Sequence, residues 1–210
     1  MQYQFDETVE TEEQLRSLVG TPIDSVVEKS LDHIDDLFER FIAASPFVVI
    51  SSRGRSGTMD LSPKGDPAGF IKVLDRNTLV FPERPGNRRA DTLHNILHNP
   101  SIGLIFLIPN MPDTLRVAGT AKIVQDRKLQ QELAVDGKEP ILLIAIDVHM
   151  AFMHCAKCMI RSKLWKPEQW QSVDGVPRLS DAVIKQLKLA KQEEQMVHDY
   201  LRKDQTDRLY

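Results

Sequence analysis

The chain has 210 residues, 41% of them apolar, and a formal net charge of −3. That is enough for one large domain with a sizeable core, and the mixed charge excludes a broad nucleic-acid or anionic-membrane surface, so any basic site is local. No apolar run approaches the ~18 residues of a membrane helix, the first residues lack a signal-peptide pattern, and two cysteines cannot make a disulfide framework. A reduced, cytoplasmic chain with no nucleic-acid or membrane partner is predicted.

In chain order, Thr11-Glu12-Glu13-Gln14 has the form of a capping box, and Thr21-Pro22 repeats a helix-start signal. Leu31, Ile34, Leu37, Phe38, Phe41 and Ile42 recur at helical spacing, which predicts a helix laid on the core and ended by Ser45-Pro46. Short strands are predicted over 47–51, 58–62, 70–73, 78–81, 102–108, 114–124 and 140–148. The run Pro63-Lys64-Gly65-Asp66-Pro67 is too rich in breakers to be regular. Residues 82–86 form a loop, and Asn87 caps a helix running to His98. Asp126 to Val135 is a short helix. Helix returns after Met150, and Ser180 to Leu201 is one charged amphipathic helix. Many strands with few helices between them predict an antiparallel α+β barrel rather than a doubly wound sheet. The single domain divides into N-terminal helices (1–45), a barrel core (46–167) and a helical tail (168–210).

The chemistry concentrates in Pro85-Gly86-Asn87-Arg88-Arg89-Ala90-Asp91. Two arginines at a helix start add planar, permanently charged donors to amides that already favour an anion. Lys64, in a turn after a strand, is a third candidate cation. A lone Arg-Arg pair is more often a solvated surface feature. Arg116, flanked by Leu115 and Val117, turns opposite its apolar neighbours by strand alternation. It is either a ligand contact or an ordinary surface arginine. His154-Cys155-Ala156-Lys157-Cys158 lacks the second ligand pair that structural zinc needs, so two small buried or interfacial helix thiols are expected and no metal. His94 and His98 share a helix face without a third ligand and read as solvated or capping.

Several segments together resemble the pyridoxamine 5'-phosphate oxidase-like FMN-binding split-barrel family. They are Met59-Asp60-Leu61-Ser62-Pro63-Lys64-Gly65-Asp66, Gly69-Phe70, Pro85 to Asp91, Asn99-Pro100 and Leu107-Ile108-Pro109. Thr114 to Gly119, His154 to Lys157 and Arg161 to Trp165 complete the set, which spans roughly Phe41 to Pro167. The resemblance implies a six-stranded split barrel, paired across a two-fold axis into a homodimer with FMN between the subunits. By the same resemblance, Lys64, Arg88 and Arg89 would hold the flavin phosphate, with Asn87 beside it. Asp60, Leu61 and Ser62 would run along the isoalloxazine, and Phe81 and Pro82 would lie near the flavin. Arg116, Ser162, Lys163 and Trp165 would reach flavin or substrate across the dimer. The parent oxidase carries an arginine and an apolar run before its lysine, whereas Met59 and Asp60-Leu61-Ser62 stand here.

The function expected is an FMN-dependent oxidoreductase acting with a small-molecule substrate or electron donor. Its alternative is a non-catalytic flavin or haem carrier or sensor on the same fold, because fold does not fix function. The segment Asp204 to Tyr210 offers no match to the residues with which the parent oxidase recognises its substrate, so vitamin B6 oxidation is not assigned.

Overall fold

The computed structural model describes residues 3–207 and 209–210. Three short helices come first: α1 (Glu12–Val19), α2 (Asp24–Glu28) and α3 (Asp36–Ala44). Thr11 caps α1, and Gln14 reaches back to complete the box. The start signal at Thr21-Pro22 is overshot, since α2 begins at Asp24. Helical periodicity from Leu31 is also interrupted. Leu31 bridges Ala151 in extended form, and the Ile34 amide donates to the Arg76 carbonyl. Asp35 then caps α3 by accepting from the Phe38 amide at 2.8 Å. Backbone pairing with the sheet thus delays the helix by five residues, while Phe38, Phe41 and Ile42 still pack into the core.

The sheet follows: β1 (Phe47–Arg53), β2 (Met59–Gly65), β3 (Lys72–Asp75), β4 (Thr78–Glu83), β5 (Ser101–Leu107), β6 (Thr114–Val124) and β7 (Leu142–His154). Helix α4 (Asp91–His98) precedes β5, and α5 (Arg127–Glu132) precedes β7. The order β2-β1-β5-β6-β7-β4-β3 is antiparallel throughout. The expected α+β split-barrel class holds, with seven strands among the described residues where the resemblance implies six. The seventh is an edge strand of four residues, β3.

Two strands outrun expectation. β2 continues through Pro63, Lys64 and Gly65, because as an edge strand it can hold a proline that lacks an amide donor. β7 runs to His154, because Phe152 and His154 pair with Arg116 and Thr114 while Ala151 and Met153 keep the inward face apolar. A register shift at Ala118/Gly119 bends the long β6–β7 pair. Gly119 permits that bend: a Cβ there would lie 2.0 Å from the Asp147 carbonyl oxygen. Curvature at this point brings β2 and β4 together although five strand steps separate them, a span of about 24 Å in a flat sheet at ~4.8 Å per step. Lys64 of β2 reaches Glu83 of β4 at 2.8 Å instead.

The enclosed core holds Ile42, Ile50, Phe81, Phe106, Leu115, Ile144 and Ile146, all at 0% exposure. A smaller cluster of Val80, Leu133, Leu143 and Ala145 packs beside α5. Beyond β7 come α6 (Lys157–Ser162), α7 (Leu179–Leu187) and α8 (Lys191–Asp207). The single C-terminal helix expected is two, broken where Lys188 takes φ 52. Cys155 and Cys158 are both exposed rather than buried, Cys155 before α6 and Cys158 within it.

Candidate functional site

Strand β2 defines the site by its alternation. Its core-facing positions are Asp60, Ser62 and Lys64, in register with Ser52, Ile50 and Val48 of β1. On neighbouring strands those rows are mostly apolar and buried. At the edge they turn polar, because there the barrel interior opens to solvent. A cleft of about 480 Å³ occupies the opening, within the usual size range of small-ligand sites. Every residue from Asp60 to Asp66 lines it, including the outward positions, so the open hydrogen-bonding edge of β2 faces the cleft and not merely one side of it.

The opposite wall comes from Pro82 to Asn87 and from the start of α4. Helix α4 begins at Asp91, four residues beyond the predicted cap at Asn87. Asn87 instead accepts from the Arg89 amide at 3.0 Å, and left-handed conformations at Arg88 (φ 62) and Ala90 (φ 55) delay the first turn. The arginines therefore lie in the bend before the helix, not on it. Ala90 supplies no side-chain cap, and the first helical bond runs from the His94 amide to the Ala90 carbonyl. The amides of Asp91, Thr92 and Leu93 are thus left without helical partners at the cleft wall.

The cleft charges are arranged in pairs. Lys64 meets Glu83 at 2.8 Å, and Arg84 meets the almost fully buried Asp66 at 2.6 Å. Arg89 donates through Nε to Asp91 at 2.8 Å, and this carboxylate raises the Arg89 pKa above its ordinary value. Among the described residues only Nε of Arg89 is engaged, which leaves its two terminal nitrogens. Asp60 accepts from Asn95 Nδ2 at 2.6 Å, and the same nitrogen lies 3.0 Å from Ser52 Oγ. Asn95, on α4, thereby fixes the Asp60 carboxylate.

A further anchor closes one end. The Tyr210 hydroxyl donates to Asp66 at 2.8 Å, and its ring lies 5.2 Å from the Arg84 guanidinium carbon. Arg84 also donates to the Leu133 carbonyl at 2.7 Å. Glu83, Arg84, Asp66, Asn95 and Tyr210 are all absent from the sequence-derived site. Only the curl of the sheet makes Glu83-Arg84 neighbours of Lys64 and Asp66, and no local pattern signals that pairing.

Of the sequence-derived residues, the structure gathers Asp60, Leu61, Ser62, Lys64, Pro82, Asn87 and Arg89 on this cleft. It does not gather the others. Arg88 is exposed, has a left-handed backbone and lies outside the lining. Phe81 is fully buried in the core, so only Pro82 of that pair reaches the wall. Ser162 Oγ donates to the Met159 carbonyl, and Trp165 Nε1 donates to the Met111 carbonyl at 2.8 Å. Those two side chains tie down the end of α6, where Lys163 is the left-handed cap. Arg116 stands on the outer face of β6, on the side of the sheet away from its own cleft.

The fold, an antiparallel sheet open at one side with a polar, cation-bearing cleft at the opening, defines the class: an α+β split barrel. Residues 34–155 match the family described as pyridoxamine 5'-phosphate oxidase, more than half of the chain, and the protein belongs to that family. No curated protein matches the chain. Among solved structures, HupZ of Group A Streptococcus is similar at 18% identity and TM-score 0.48, covering 57% of this chain and 93% of that one. A structure described as a putative pyridoxamine 5'-phosphate oxidase from Lactobacillus delbrueckii is similar at 17% identity and TM-score 0.45, covering 58% and 95%. A protein related to general stress protein 26 from Clostridium acetobutylicum gives 17% identity and TM-score 0.41, covering 58% and 90%.

Proposed function

We propose that this protein is a homodimeric FMN-binding oxidoreductase that holds the flavin in the β2–α4 cleft. The observation carrying this reading is the convergence on one cleft of Lys64, from the β2 wall, with Arg89 and the uncapped amides of Asp91 to Leu93, from the wall opposite. Those donors suit a terminal phosphate: a compact cation, the free end of a guanidinium, and helix-start amides aligned with the dipole. Ser62 and Asn87 add polar side chains beside them. The open edge of β2 offers amides and carbonyls to ring heteroatoms, and only Pro63 lacks a donor there. The cleft fits the cofactor by these criteria. Arg88 is outside it, so the phosphate role is proposed for Lys64 and Arg89.

Bound flavin would supply the hydride chemistry, and the chain's part is to orient the ring and exclude water. Asp60, fixed by Asn95, would set a carboxylate near the ring edge. The dimer is supported by the outer sheet face. Two rows in register cross five strands there, Pro63–Val49–Ile105–Arg116–Phe152 and Leu61–Ser51–Gly103–Ala118–Met150, and a third, Gly65–Phe47–Leu107, crosses three. Most of these residues are apolar, and Leu61 is 73% exposed. A two-fold partner presenting the same face would cover them.

The absorbance spectrum of purified protein, with mass identification of the chromophore that heat releases, tests the proposal. A flavin spectrum and FMN are expected. A haem Soret band, or FAD as the sole released flavin, would overturn it. A reductant screen under air then distinguishes turnover from mere carriage.

A further inference from the structure

We propose that Lys29, Arg116 and His154, gathered around Phe152 on the outer face of β6 and β7, form a second site, which takes the oxyanion group of a small molecule. Arg116 and Phe152 are direct partners across β6 and β7, and His154 is two residues further along the same face. The Arg116 guanidinium carbon lies 5.6 Å from the Phe152 ring centre, and the Lys29 ammonium lies 5.9 Å from it. The His154 ring packs on Phe152 at 4.7 Å between centroids. Lys29 is held there by donation to the Met153 carbonyl at 2.8 Å. Three nitrogen groups that carry or can carry positive charge thus converge on one aromatic side chain.

What distinguishes this cluster from the cleft is the absence of counter-charge. Each cleft cation has a carboxylate partner, whereas neither Lys29 nor Arg116 has an ion-pair partner among the described residues. Partial burial and then the two cations hold the His154 pKa below its usual value, so the cluster already repels a further positive charge. The three outer rows contain no aspartate or glutamate. A second copy presenting those rows would bring more cations and no acid from them. Covering such charges without compensation is unfavourable, so an oxyanion would supply the missing partner. This counter-charge argument rests on the dimer reading; the cluster itself belongs to one chain.

Titration of the His154 ring by NMR tests the site, with the resonance assigned through His154→Gln. The ring is followed against pH in chloride, in inorganic phosphate and in acetate at equal ionic strength. A bound oxyanion offsets the two cations, so the His154 midpoint should rise by about half a pH unit or more over that in chloride. A rise with both probes indicates a site for any oxyanion, and a rise with phosphate alone one for a phosphate group. In Arg116→Gln the chloride midpoint should itself rise, since a cation is gone, and the further rise with oxyanion should vanish. Lys29→Gln should reduce that further rise. Equal midpoints in all three salts, or an oxyanion-induced rise unchanged in both variants, would overturn the site. Light scattering on the same samples separates the two readings. A monomer that keeps the oxyanion response removes the dimer alone, and a dimer without it removes the site alone.

Discussion

The two faces of the sheet at its β2 end use charge in opposite ways. Toward the split, Asp60, Ser62 and Lys64 are polar, and the cations on that side are matched with acids. Toward the outside, Val49, Ile105 and Phe47 leave an apolar surface on which Arg116 and Lys29 stand without acid partners among the described residues. A period of two along each strand separates these surfaces, because successive side chains point to opposite sides. Paired charges can line an open cleft at little cost, since water and the partner both satisfy them. Unpaired charges on an apolar face are tolerable while solvated and become costly when covered. The inner edge is therefore suited to a ligand, and the outer face to a protein partner that brings or traps a counter-charge.

The largest effect is expected on the cleft side. Replacing Lys64 and Arg89 together with alanine should weaken FMN binding on the order of a hundredfold or more, given about 1.5–3 kcal/mol for each charged hydrogen bond. Riboflavin, which lacks the phosphate, should lose far less. Fluorescence titration of apoprotein with both ligands measures the difference. Equal losses would mean general damage to the cleft. Arg88→Ala alone should leave both affinities within about twofold, because Arg88 lies outside the lining. A large selective FMN loss in that variant would place the phosphate elsewhere.

That contrast between adjacent arginines was not legible in the sequence. The basic pair and a nearby helix were visible, but not the bend with left-handed Arg88 and Ala90 that delays the helix, nor that Arg89 and not Arg88 lines the cleft. Neither is glycine or asparagine, the usual markers of that conformation. The strands were readable wherever apolar residues ran or alternated, as in β5 and β6. They were obscured in β2, where Pro63 and Gly65 mimic a turn and only the edge position makes a proline acceptable. The ion pairs closing the split were illegible for a different reason. Lys64 and Glu83, like Asp66 and Arg84, meet only after the sheet has curled at the Gly119 bulge. Phe81 shows the converse. Its place in a short strand was clear, but only the structure shows its ring in the core rather than on the cleft wall.

A smaller effect is expected on the outer face. Val49→Asp introduces a carboxylate at the centre of the apolar rows, and a two-fold interface would meet it twice. The dimer dissociation constant should rise about tenfold or more, as an unpaired charge is buried at each copy. Val49 is already partly exposed in the single chain, so the melting temperature of the separated subunit should move much less. Sedimentation across a concentration series reads the first quantity and thermal melting in dilute samples reads the second. A variant as dimeric as the parent at low micromolar concentration would mean that copies associate through another surface.

The smallest effect concerns Tyr210, which tests whether the paired charges of the cleft also hold the fold. Its hydroxyl donates to Asp66, the carboxylate that also accepts from Arg84. Tyr210→Phe removes that donor and should cost about 0.5–1.5 kcal/mol of stability at neutral pH. The pH dependence supplies a sharper signature. The hydrogen bond to Asp66, followed by partial burial and the Asp66 charge, raises the Tyr210 pKa above its ordinary value, although Arg84 acts the other way. A group whose folded pKa is raised contributes stability in full below its unfolded pKa, about 10 for tyrosine, and loses it as pH rises through the folded value. Urea denaturation of both proteins should therefore show a constant gap below pH ~9 that closes in more alkaline solution. Phenolate formation would set a second negative charge against Asp66, so the parent protein should lose stability faster than Tyr210→Phe across that window. A gap that is absent at neutral pH, or that widens as pH rises, would show that the Tyr210–Asp66 contact does not stabilise the cleft end.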